Sequence, residues 1–193
     1  WRITAKDQPL VDPPEIADAD IATLLDNLKL PQYRYRYWSR RDLRDHDADE
    51  VETALATWVS ALDPADPRYR HHQLEALWLY RGIGRNNNEL LVELLNCEDE
   101  HRARAAATRQ LRYSYEHLEN GAEHLAKAAN DPESLVRMEA AIAASYIGTE
   151  EALTAMLGTL KHPHEGHLTY AIRTSLGSHT LKKVWADGQG EYL

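Results

Sequence analysis

One apolar pattern recurs along this chain and restricts its fold more than any other feature. Side chains spaced i, i+3, i+4 and i+8 share one face of an α-helix. The pattern occurs at Leu74, Leu77, Trp78 and Gly82, at Ala103, Ala106, Ala107 and Leu111, at Met138, Ala141, Ile142 and Tyr146, and at Leu168, Ala171, Ile172 and Leu176. A weaker copy with a polar third member runs through Tyr35, Trp38, Ser39 and Leu43. The stripes begin at 35, 74, 103, 138 and 168, so their spacing varies between 29 and 39 residues. A second amphipathic segment precedes each one: Ile21–Leu28, Val51–Leu62, Leu91–Leu95, Ala122–Ala129 and Leu153–Leu160. A lone helix pair cannot bury its own apolar face and needs neighbours to cover it. The expected fold is therefore all-α, a right-handed α-solenoid (α-α superhelix) of about five helix pairs that stand or fall as one cooperative unit.

The punctuation agrees with this division. Pro31, Pro67, Pro132 and Pro163 fall shortly before four of the five second helices, where a missing N–H costs nothing. Asp66 and Asp131 stand before two of them as expected N-caps, and Gly84 and Gly148 are placed to end second helices. Asn86-Asn87-Asn88 and Asn120-Gly121 are turn signals. Residues 1–19, with Pro9, Pro13 and Pro14, are expected to be an extended lead-in, residues 20–185 the HEAT-like repeats, and residues 186–193 a tail or linker. A chain beginning at Trp1 is expected to be a piece of a longer protein.

A net charge of −9 opposes general affinity for nucleic acid, because such binding depends on Lys and Arg displacing counterions. No apolar run is long enough to span a membrane. Cys97 is the only cysteine, which excludes an internal disulfide and a multi-cysteine zinc site. It precedes Glu98, Asp99 and Glu100, which oppose thiolate formation. Arg81-Gly82-Ile83-Gly84-Arg85 lacks the rest of a nucleotide-binding fingerprint and reads as a helix end.

The segments Arg34-Tyr35-Arg36-Tyr37-Trp38-Ser39-Arg40-Arg41-Asp42-Leu43, His72-Gln73-Leu74-Glu75-Ala76-Leu77-Trp78 and Arg102-Ala103-Arg104-Ala105-Ala106-Ala107-Thr108-Arg109 resemble a HEAT-repeat region found in large membrane-bound dehydrogenase-type proteins of planctomycetes and verrucomicrobia. The resemblance covers residues 20–185. It implies a β-propeller similar to sugar dehydrogenases before the repeats and a cytochrome c domain after them. Trp1-Arg2-Ile3 resembles the end of a last propeller strand. No Cys-x-x-Cys-His motif occurs here, so haem c is expected elsewhere in the parent protein, with no cofactor in this region. Export to the periplasm is a further implication of the resemblance.

Three groups of residues are candidate sites. Arg34, Arg36 and Arg41 recur at the same repeat position as Arg102, Arg104 and Arg109, which predicts a ladder of arginines along the second helices. Such a ladder suits an anionic ligand or peptide, or an acidic neighbouring domain or protein; pairing within the stack is the competing reading. Arg34, Arg36, Arg40, Arg41 and Arg44 fall within eleven residues and interleave with Tyr33, Tyr35, Tyr37 and Trp38, a pattern that can stack bases, against which the acidic whole weighs. His162, His164 and His167, with Glu165, could hold a divalent metal for a metal-dependent enzyme, although Pro163 and Gly166 mark the segment as a turn. HEAT-like iron hydroxylases use several His-Glu pairs, whereas this chain has His164-Glu165 alone. His71 and His72 are adjacent and cannot share a helical face. The leading expectation is a non-catalytic scaffold or interaction module, with no catalytic residue in this region.

Overall fold

The computed structural model describes residues 12–187. Trp1-Arg2-Ile3, with the rest of 1–11, and the tail at 188–193 lie outside the described residues. The predicted second-helix segments are all helical, and so are the predicted first segments, except that α3 stops at Ser60, short of the expected Leu62. The chain forms α1 (Ile21–Asp26), α2 (Tyr33–Leu43), α3 (Ala48–Ser60), α4 (Tyr69–Gly82), α5 (Asn88–Asn96), α6 (His101–Ser114), α7 (Gly121–Ala129), α8 (Ser134–Ile147), α9 (Glu150–Gly158), α10 (Gly166–Leu176) and α11 (His179–Asp187). No strand occurs among the described residues. The helices fall into two compact units, one ending at Arg85 and one beginning at Asn86.

Helix starts are fixed by short polar side chains. Asp20 accepts from the Thr23 N–H, Asp47 from Asp49 and Glu50, Asn87 from Leu90 and Thr149 from Ala152. Each satisfies a donor that the first turn leaves without a partner. Asp66 and Asp131 depart from the expectation. They accept from the Arg68 and Glu133 N–H groups at 2.7 and 2.8 Å, while Arg68 and Glu133 are the N-caps themselves. These aspartates shape the turn around the proline one step before the helix begins. Gly148 ends α8 at φ +70°, and a Cβ there would lie 2.9 Å from Thr180 Cβ. Both the left-handed backbone and the contact with α11 call for glycine.

In the first unit, Leu24, Leu28, Leu43, Val51, Leu55, Ala76 and Leu79 are completely buried. First helix packs on first helix (α1 on α3) and second on second (α2 on α4). The second unit repeats this arrangement in two layers, α7, α9 and α11 in one and α6, α8 and α10 in the other. Ala140, Ala141, Ala143 and Ala144 are buried, and their small side chains let α8 approach α6 on one side and α10 on the other. Leu94, Leu111, Leu125 and Leu153 fill the space behind them. Each such leucine contributes about 1.5–3 kcal/mol by leaving water.

Two details differ from expectation. In the fourth stripe only Ala141 is fully buried, while Tyr146 is 60% exposed. A helix packed on five neighbours buries most of its circumference, so the core line of α8 turns to Val136, Ala140, Ala143 and Ala144. The larger members of the predicted stripe occupy its one open side. The second difference is α11, which occupies 179–187, including the first residues assigned to the tail. Leu181 is completely buried and the Trp185 indole N–H donates to the Leu176 carbonyl at 3.2 Å.

Candidate functional site

Three arginines on second helices perform the same local task. Arg36 Nη1 donates to the carbonyls of Leu30 and Pro31 at 2.8 and 2.7 Å. Arg104 Nη1 donates to Cys97 O at 2.8 Å. Arg137 Nη1 donates to Asp131 O and Pro132 O at 2.7 and 2.8 Å. Each guanidinium folds back over the loop before its own helix and satisfies carbonyls that no helix ladder reaches. Other N–H groups of the same side chains extend to the following pair: Arg36 Nε to Glu75 at 2.8 Å, Arg104 to both Asp131 oxygens at 2.9 and 3.2 Å, and Arg137 Nη2 to Pro163 O at 3.0 Å. Each arginine thus staples one helix pair to the next.

In the second pair His72 holds the corresponding position. It is buried, with Nε2 3.4 Å from Asp66 Oδ2. Burial lowers its pKa, and Asp66 only partly opposes this, so the ring is held towards its neutral form.

Two nearly inaccessible carboxylates complete the polar interior. Glu75 is 1% exposed and receives Arg36 Nε, Arg40 Nη1 and, at 3.3 Å, His71 Nε2. Burial pushes its pKa upward, but the His71 hydrogen bond and the Arg40 and Arg36 charges outweigh that and hold it below the ordinary value. Glu139 is 2% exposed and receives the Arg109 guanidinium through Nε at 3.0 Å and through Nη2. The hydrogen bond to Glu139 raises the Arg109 pKa, as that to Asp131 raises the Arg104 pKa.

The six predicted ladder arginines therefore divide by role. Arg36, Arg104 and Arg109 are committed to carboxylates of the next helix pair. Arg34 and Arg102 are exposed, and Arg41 lies over the Trp38 ring, 5.2 Å from its centroid. Arg34, Arg36 and Arg41 belong to the first unit and Arg102, Arg104 and Arg109 to the second. The sequence reading placed Arg40 in the arginine–aromatic cluster but missed Glu75, Glu139 and Arg137. A signal for Arg137 existed: Pro31 to Arg36, Pro67 to His72 and Pro132 to Arg137 share one offset of 5 residues.

The histidine candidates do not converge. His162 Nε2 lies 3.1 Å from Asn130 Oδ1, and His164 Nδ1 lies 2.9 Å from the His162 carbonyl. Among the described residues no group of three or more His, Cys, Asp or Glu is arranged to hold a metal ion. The Pro163–Gly166 turn separates side chains that are close only in sequence. Cys97 is buried, its Sγ 3.4 Å from the Glu100 carbonyl.

Two recesses among the described residues lie beside candidate side chains. The larger, about 1240 Å³, runs between α8 and α10 and ends at the start of α11. Leu135, Met138, Ile142, Tyr146, Tyr170 and Thr174 line it. Tyr170 is 72% exposed, and the Arg112 guanidinium lies 4.9 Å from the Tyr146 ring centroid. The smaller, about 170 Å³, lies between α2 and α4 against Tyr37, Arg40, Arg41, Arg44 and Trp78.

No curated protein matches this chain. No helix among the described residues is long and apolar enough to cross a membrane. Residues 87–177 match the family model for HEAT repeats, repeats that mediate protein interactions and are commonly non-catalytic. That match spans the helices carrying the Arg104–Asp131 and Arg109–Glu139 pairs and most of the larger recess, and it identifies this stretch of the chain as a HEAT-repeat region.

Proposed function

We propose that the chain is a non-catalytic scaffold and interaction module of a larger dehydrogenase-type protein, set between a sugar-oxidising propeller and a haem c domain. The observation that carries the interaction role is the recess between α8 and α10. Within a HEAT-repeat region, it leaves Leu135, Tyr146 and Tyr170 uncovered on the open side of second helices. A contiguous apolar surface of this kind stabilises association when a partner covers it. The buried ionisable groups Glu75 and Glu139 are occupied by neighbouring helices and serve cohesion rather than chemistry. The dehydrogenase setting, the haem and the export rest on the resemblance of the 34–43, 72–78 and 102–109 segments. The partner is a neighbouring domain of the same polypeptide or another protein.

The test has two arms. Purified chain mixed with aldose sugars and an artificial electron acceptor is expected to give no turnover; turnover would overturn the non-catalytic reading. Separately expressed propeller and haem domains are expected to bind the chain in calorimetry, and Ile142→Glu in the recess is expected to weaken that binding at least tenfold. Undiminished binding by the variant would remove the recess from the reading.

A further inference from the structure

We propose that the small recess between α2 and α4 binds a carboxylate side chain from an acidic segment of a partner protein. The inference deepens the interaction-module reading and rests on it, but uses a different surface from the apolar recess.

Arg40 and Arg41 in the last turn of α2 and Arg44 at its C-cap surround one concavity, with Trp78 of α4 opposite. Like charges three and four residues apart on a helix repel unless something neutralises them. Glu75 is the buried acid beside them, and its oxygens are already taken by Arg36, Arg40 and His71. The Arg41 and Arg44 side chains make no hydrogen bond or ion pair among the described residues. The recess thus holds two uncompensated guanidinium groups and a third that is half committed.

The arginines are also held in place before any ligand arrives. The Arg40 guanidinium lies 5.4 Å from the Trp78 ring centroid and that of Arg41 5.2 Å from Trp38, and stacking of this kind restricts a long side chain. Gly82 lets Arg44 lie against α4: a Cβ on that glycine would come 3.2 Å from Arg44 Cδ. Forks held in this way match a carboxylate, which can accept two parallel N–H bonds from each.

The dimensions choose the ligand. A space of about 170 Å³ admits one acidic side chain but not a nucleotide or a sugar ring with its neighbours. Beside it the exposed rings of Tyr33 and Trp38 offer apolar surface to the residues flanking that acid. The net charge of −9 disfavours a nucleic-acid backbone, which needs an extended cationic track.

The test uses the full chain and a fluorescein-labelled oligoglutamate peptide interrupted by leucines, read by anisotropy. Binding is expected, weakening steeply as salt rises. The double variant Arg41→Ala, Arg44→Ala is expected to lose about tenfold or more in affinity with unchanged helicity. Gly82→Ala, which displaces Arg44 without removing charge, is expected to lose several-fold. No binding, equal binding of a glutamine-for-glutamate peptide, an unaffected double variant, tighter binding of a single-stranded oligonucleotide, or complete competition by equimolar inorganic phosphate would each overturn the proposal. Ile142→Glu separates the two readings: it is expected to leave peptide binding intact while weakening domain binding. A chain that binds the domains but not the peptide sinks only this inference.

Discussion

The α2–α4 and α6–α8 pairs solve one problem in two ways. Each buries a glutamate on the later helix and answers it from the earlier one. In α6–α8 the answer is Arg109, which takes both oxygens of Glu139 and is itself 59% exposed. In α2–α4 the residue equivalent to Arg109 is Arg41, yet Glu75 is held by Arg36, Arg40 and His71, while Arg41 lies on Trp38. One helix pair balances its charge internally. The other satisfies an equally buried acid from more donors and is left with positive charge on its surface. A repeat position therefore fixes where an arginine sits on its helix but not what it does; the placement of the acid across the interface decides that.

The comparison can be broken most directly at the acids. Glu75→Ala strands Arg36 and Arg40 in a dry interface and is expected to cost about 3–5 kcal/mol in urea unfolding. Because the fold holds the Glu75 pKa down, its contribution is present above the ordinary carboxylate range and lost as pH falls through the lowered folded value. Glu75→Gln is expected to flatten the acid limb of the stability profile, and an unchanged limb would contradict the assignment. Removing Arg109 instead leaves Glu139 buried without its partner. Arg109→Ala is expected to cost about 1–3 kcal/mol, less than Glu75→Ala because the exposed side lets water in; an equal or larger loss would erase the distinction.

His72 sharpens the contrast at a smaller scale. Its folded pKa is lowered, so the unfolded chain takes up the proton first and stability falls as pH drops below the ordinary value of 6.5. His72→Gln is expected to remove that mildly acidic slope. The smallest effect is expected at Arg41→Ala, within about 0.5 kcal/mol of the parent, since it is exposed and pairs with no acid. A loss comparable to that of Arg109→Ala would mean that the two positions are equivalent after all.

The helices were legible because their apolar spacing is helical and their ends carry proline, asparagine and glycine. The exact buried line was not, as α8 illustrates: a stripe such as Met138, Ile142 and Tyr146 reads the same whether it faces a core or a recess, and only the number of packed neighbours separates the two. Helix α11 went unseen since Leu181 and Trp185 form no repeating stripe and their burial comes from α8, α9 and α10. At the candidate site the arginines were visible but their partners were not. Arg104 meets Asp131 and Arg109 meets Glu139 across helix interfaces, at separations of 27 and 30 residues, and no local rule connects them. The small recess needed Trp78 and Gly82 from one helix and Arg44 from another, a conjunction that exists only once α2 and α4 are packed.

The back-folded arginines carry a consequence for how such a chain can vary over evolution. Surface connections ordinarily accept insertions and deletions. The segments from Leu30 to Arg36, Cys97 to Arg104 and Asp131 to Arg137 cannot do so freely, because each guanidinium must reach back to carbonyls only five to seven residues before it. The changes in period, from 29 to 39 residues between stripes, must therefore be absorbed elsewhere. The connection after α8 is only Gly148-Thr149, whereas that after α6 includes the extra turn Tyr115–His117. Within pairs, too, length drifts where no back-folded arginine spans the turn: residues 61–68 before α4 and 159–165 before α10 are longer than residues 97–100 before α6 and 130–133 before α8.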